Sequence, residues 1–165
     1  MKSKWTVYIV LGIIVVILAI IAATAFLTPD TYPPNAAAIN FARAAASGDD
    51  AAAAAYLSPD LQAYVAANCT GGMVSGCVAG YIPDEWGAYR GLEFRRAMPD
   101  GEGYHVDMIG FWELDRGFSG VCVYLNVQPD GAGGWQVTRW AGWAWCGEPG
   151  TRDMETNPEA PNRAP

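Results

Sequence analysis

VCVYLNVQPDGAGGWQVTRWAGWAW, residues 121–145, is the stretch that decides the fold. Val121, Val123, Leu125 and Val127 alternate with less apolar neighbours, the pattern of a strand with one buried face. Pro129-Asp130-Gly131-Ala132-Gly133-Gly134 follows as a hairpin loop, and Trp135–Trp145 returns antiparallel. Alternation extends upstream. Leu92–Met98 reads as a strand, Pro99–Gly103 as a turn, and Tyr104–Leu114 as a longer strand with Tyr104, Val106, Met108, Trp112 and Leu114 on one parity. Asp115-Arg116-Gly117 turns the chain once more.

Before this meander the period is helical. Asn35–Ala46 puts Ala38, Phe41, Ala42 and Ala45 along one side and stops at Ser47-Gly48. Asp49 and Asp50 cap a short Ala-rich helix, 51–57. Ser58-Pro59 is an N-cap followed by proline at the first helical position, opening a helix in which Leu61, Tyr64 and Val65 share a face. The Gly-rich segment Cys69–Gly80 reads as a loop. Helices followed by three or four antiparallel strands make an α+β domain, with two or three helices packed on one face of a curved sheet.

Working outward to the N-terminus, Trp5–Leu27 carries no charged residue. About 20 apolar residues in a helix match a hydrocarbon core of about 30 Å, so the stretch predicts a transmembrane anchor. Lys2 and Lys4 precede it and Asp30 is the first charge after it, which leaves the 1–4 stub in the cytoplasm and exports the rest. The alternative is a signal peptide cleaved after Ala23-Thr24-Ala25, and both readings export the domain. Residues 28–34 are a Pro-containing spacer, 35–146 the domain, and 147–165, with four prolines and no periodicity, a disordered tail.

The net charge is −7, and because both lysines lie before the apolar stretch, everything after Leu27 holds eight Arg against seventeen acids. A domain this acidic has no footprint for nucleic acid. No P-loop or dinucleotide fingerprint occurs, so no cofactor is expected. With no CxxC pair and one histidine, no metal is expected either. The four cysteines of an exported domain predict disulfides: Cys69–Cys77 is local and leaves Cys122–Cys146. If Val127 opposes Trp135, Cys122 lies opposite Trp140, and closing the second bridge needs a bulge or reversal near Gly142.

One helix carries Phe41, Ala44, Gly48 and Asp49 as FxxAxxxGD, a second segment ends at Tyr56-Leu57, and the last strand holds Gly133, Trp135, Val137 and Trp140 as GxWxVxxW. In pattern and order, about Pro34–Cys146 resembles the NTF2-like superfamily, and small single-pass bacterial proteins with an exported NTF2-like or lumazine-binding-like domain in particular. The resemblance implies a cone whose sheet and helices enclose a pocket. The candidate pocket residues are then Tyr104, Asp107, Trp112, Glu113 and Trp140.

His105 falls out of phase with Val106 and Met108 and reads as a solvent-facing strand residue. Seven tryptophans are many for 165 residues. Their rings either fill the gap left by Ala-faced helices or line a pocket for a lipid, a glycan or a partner peptide. On strict alternation Trp135, Trp143 and Trp145 point opposite to Trp140. The function these features favour is a membrane-tethered, non-catalytic binding or assembly module. A structural subunit of an envelope complex and a small-molecule isomerase or lyase are the alternatives.

Overall fold

The computed structural model describes residues 2–26, 32–114 and 120–165. Residues 28–31 of the spacer and the turn at Asp115-Arg116-Gly117 lie outside them. The described residues form five α-helices and an open four-stranded antiparallel sheet, an α+β architecture. Helices α1 (Lys2–Phe26), α2 (Pro33–Ser47), α3 (Asp50–Ala54), α4 (Pro59–Asn68) and α5 (Val74–Tyr81) come first. Strands β1 (Tyr89–Asp100), β2 (Gly103–Trp112), β3 (Val121–Pro129) and β4 (Trp135–Trp145) follow as a meander in sequence order.

α1 forms where the sequence places it. Its large apolar side chains from Trp5 to Ile21 are all between 49% and 75% exposed. Among the described residues no helix is long and apolar enough to cross a membrane. The helix is present, but a membrane crossing does not follow from it.

α2 begins two residues earlier than its pattern suggests, because Pro33 and Pro34 occupy the first turn, where their missing N–H groups would have had no helical partner. Gly48 closes it at φ 78°, its N–H bonded to the carbonyls of Ala44 and Ala45. Asp49 Oδ1 caps α3 by accepting from Ala52 N, and Ser58 Oγ caps α4 by accepting from Leu61 N. The segment after Cys69, expected to be a loop, is instead a 3₁₀ turn at Thr70–Gly72 and the helix α5. Glycine lowers helix propensity by about 1 kcal/mol. Burial of Val74, Cys77 and Val78 and the Cys69–Cys77 bridge offset that cost.

The core lies between the helices and one face of the sheet. Ala38, Phe41, Ala42 and Ala45 of α2 are buried against Val106, Met108, Val123, Leu125 and Val127. Strand β4 supplies Val137, Trp140 and Trp143, three apart rather than two, to this same face. Two bulges make that spacing work. Val127 pairs with Val137 and Asn126 with Arg139, which leaves Thr138 over; Val123 pairs with Gly142 and Cys122 with Ala144, which leaves Trp143 over. Each extra residue resets the alternation. Strict parity therefore fails for Trp143, which joins Trp140 in the core. Trp143 adopts φ 51° and Gly142 φ 91° to turn this corner.

The register and both bulges settle the second disulfide. Val127 opposes Val137, not Trp135, and the two extra residues of β4 carry the pairing on, so Cys122 arrives beside Ala144 and bridges Cys146 with Cα atoms 4.9 Å apart. Cys69 and Cys77 form the other bridge, and no cysteine is free.

Residues 147–165, expected to be disordered, instead strap across the sheet face opposite the helices. Met154 and Ala160 are buried there against Cys122, Tyr124 and Ala141. Asn162 Nδ2 donates to the Gly142 carbonyl, and Gly142 N to that of Pro161. The arginine Arg163 ties the strap to itself, donating to the carbonyls of Met154 and Asn157. A segment can be aperiodic and still fixed, because side-chain burial and a covalent root at Cys146 do not need a backbone repeat. Ala164 forms a bridge with Trp140, and Leu57 another with Val137, so both lie along the outer edge of β4.

Candidate functional site

The space beneath the helices is filled by side chains. Trp140 stacks on Phe41 with ring centroids 6.0 Å apart, Tyr64 meets it edge-on, and Trp140 and Trp143 are each only 1% exposed. Trp112 lies against Tyr89 on this face. Tyr104 is half-buried beside Trp135, and its hydroxyl is 2.6 Å from that of Tyr32. The five candidate pocket residues therefore do not converge. Trp112 and Trp140 belong to the core, and Tyr104 packs at its margin. Asp107 points to the other face. Glu113 is exposed beyond the far end of β2, where it pairs with Arg90 and accepts from Ala88 N.

The opposite face carries the polar chemistry. His105, expected to face solvent, has a side chain only 15% exposed and sits inside a network. Its Nε2 is 3.1 Å from Asp100 Oδ2, and the Tyr124 hydroxyl bonds Nδ1. Asn126 Nδ2 donates to Asp100 Oδ2, and Thr138 Oγ1 donates to Asn126 Oδ1 at 2.6 Å. A proton on Nε2 satisfies both sides of the imidazole. Burial pushes the Tyr124 hydroxyl well above the ordinary range for tyrosine. With Tyr124 fully buried, no substrate reaches it, and the group acts as a lock across all four strands, from Asp100 at the end of β1 to Thr138 of β4. Seeing this cluster from sequence required the register His105↔Asn126, which alternation alone does not supply.

Beside the lock, between the sheet and the strap, lies an open cleft of about 530 Å³. Arg95, Arg96, Asp107, Arg152, Asp153 and Glu155 border it, with the Cys122–Cys146 bridge in its wall. Asp107 is buried and pairs with Arg96, whose guanidinium is held further into the charged form by that contact. Sequence reasoning missed this site. Its arginines look like solvated surface until a bulge and a folded-back strap bring them together.

The chain matches no family model, no curated protein and no solved structure.

Proposed function

We propose that the chain is a membrane-tethered, extracytoplasmic, non-catalytic binding module, anchored through residues 5–27 with its N-terminus in the cytoplasm. Its ligand site is the cleft under the strap. The observation that carries the tether is α1, whose apolar side chains are exposed on every side. A helix apolar all round is stable in an apolar phase and not in water. Beyond the described side chains, the sequence continues apolar to Leu27. Two disulfides support an oxidising compartment.

The helices-then-meander order supports an NTF2-like fold, but one whose cone is packed shut. That favours binding over the isomerase or lyase reading, which needs an acid at the floor of an open cone. The cleft, in contrast, is open and lined by charges of both signs. A role as a subunit of an envelope complex remains compatible with the same anchor, and the partner search below separates the two.

The test is fractionation of the full chain with a protease-cleavable tag placed after Pro165. The tether predicts that the chain stays with membranes after a carbonate wash and that the tag is cut only from outside. Recovery of intact chain in the wash, or cleavage of the tag from the cytoplasmic side, overturns it. A mature protein lacking residues 1–25 by mass removes the anchor while leaving export intact. Co-purification of a stoichiometric envelope protein that needs no cleft residue would move the reading to the structural subunit.

A further inference from the structure

The cleft has a built charge pattern, and it begins with a bulge. Phe94 pairs with Met108 and Arg96 with Asp107, so Arg95 is the extra residue of β1. In a regular strand Arg95 and Arg96 would point to opposite faces. The bulge lets both border the same cleft. Arg96 is occupied by Asp107. Arg95 on the strand and Arg152 on the strap make no side-chain hydrogen bond or ion pair among the described residues, and both are exposed to the cleft.

Three guanidiniums here face three carboxylates, those of Asp107, Asp153 and Glu155. The site is therefore neutral overall, and Asp153 and Glu155 also lie near enough to Arg96 to favour its charged form, which leaves Arg95 and Arg152 as the guanidiniums without a partner among the described residues. A phosphate or sulfate dianion would gain from the arginines and lose to Asp153 and Glu155. A ligand that is itself neutral but dipolar gains at both ends. The volume, about 530 Å³, lies in the range of about 300–1,000 Å³ that holds drug-sized ligands. It has room for more than a single amino acid. Met154, Ile109 and the Cys122–Cys146 bridge add apolar wall between the charges.

We propose that this cleft binds the zwitterion of a short peptide, two or three residues long with small side chains. Its carboxylate lies on Arg95 and Arg152, its ammonium between Asp153 and Glu155, and its side chains against the disulfide. This rests on the cleft being the ligand site of the module.

The experiment is isothermal titration of the full chain in detergent micelles, with the arginine Nε–H resonances followed by NMR. The probes are tri-alanine, N-acetyl-tri-alanine, tri-alanine amide, free alanine and inorganic phosphate. Tri-alanine should bind, and loss of either terminal charge should weaken it about tenfold or more. Free alanine should bind more weakly than the tripeptide. Arg95→Ala/Arg152→Ala should abolish the tripeptide's binding without lowering Tm, since neither side chain supports the fold. Phosphate binding that matches the tripeptide's and is lost in the same double variant would keep the cleft as a site and overturn the ligand class. Absence of any shift at the cleft with every probe would overturn both. Equal affinity for the capped and free peptides would also overturn the zwitterion.

Discussion

Replacing Cys122 and Cys146 together by alanine opens a covalent loop of 24 residues, whereas replacing Cys69 and Cys77 opens one of 8. The native state barely notes the first change. Cys146 N still donates to the Gly120 carbonyl, and Val121 still pairs with Trp145, so the strand ends stay together. The effect falls on the unfolded chain, which regains the freedom that the bridge removed. In the loop-entropy description this is about 3.4 kcal/mol for the 24-residue loop and about 2.5 kcal/mol for the 8-residue one. With a urea dependence of about 2 kcal/mol per molar, the midpoints should fall by about 1.7 M and about 1.2 M. Urea titration followed by tryptophan fluorescence reads both, with the slope checked for constancy. The reasoning is refuted if the shorter loop costs more than the longer. It is equally refuted if losing Cys122–Cys146 moves the midpoint by less than about 0.5 M, because the strap would then be holding the strands in the unfolded ensemble as well.

Three further outcomes are expected. Trp140→Ala removes a ring enclosed by Phe41 and Tyr64 and should cost about 3–5 kcal/mol in chemical denaturation, with Trp135→Ala, half-exposed, costing clearly less. Gly142→Ala places a Cβ 2.4 Å from the Cys122 carbonyl oxygen at φ +91° and should lower stability by about 2 kcal/mol or more. Gly131→Ala, at φ +76° with nothing within 4 Å, should cost no more than about 1 kcal/mol by the same assay. Tyr124 has a raised folded pKa, so the stability it confers is present below the ordinary tyrosine value of about 10 and is lost as pH rises from there through the folded value. Tyr124→Phe should therefore flatten the alkaline limb of the stability curve, and an unchanged limb would show that the hydroxyl is not protected.

Much of the architecture is legible because it rests on local chemistry. Ser58-Pro59, Asp49 and Gly48 mark helix ends by capping alone, and Val121–Val127 announces a strand by its period. What fails in sequence reading is nonlocal. Strict alternation sends Trp143 away from Trp140, and only the pairing of β3 with β4 reveals the extra residues at Thr138 and Trp143. The 147–165 segment has no period to read, yet Met154 and Ala160 find an apolar patch that no strand pattern advertises. For the site, the cone reading gathered acids and aromatic rings from β2 and β4 across both faces of the sheet. Tyr104, Trp112 and Trp140 turn towards the core, while Asp107 and Glu113 sit apart, one buried under the strap and one exposed near Arg90. The cleft needed the strap, so its arginines carried no signal of their own.

The two bridges on β4 also determine where the sheet can grow. An edge strand normally offers a row of unpaired N–H and C=O groups to any passing extended chain. Here Val137 exchanges hydrogen bonds with Tyr56 and Ser58 flanking Leu57, and the Trp140 carbonyl accepts from Ala164. Strand β4 is thus engaged by backbone from outside the sheet at Val137, Trp140 and Gly142, and it is kinked by two bulges. Strand addition, whether by a partner or in aggregation, is left to the β1 margin, where Glu93, Arg95 and Arg96 set charges along the way and Pro99 withholds a donor. Among the described strands the sheet thus presents other chains with one unoccupied edge, and that edge is already guarded.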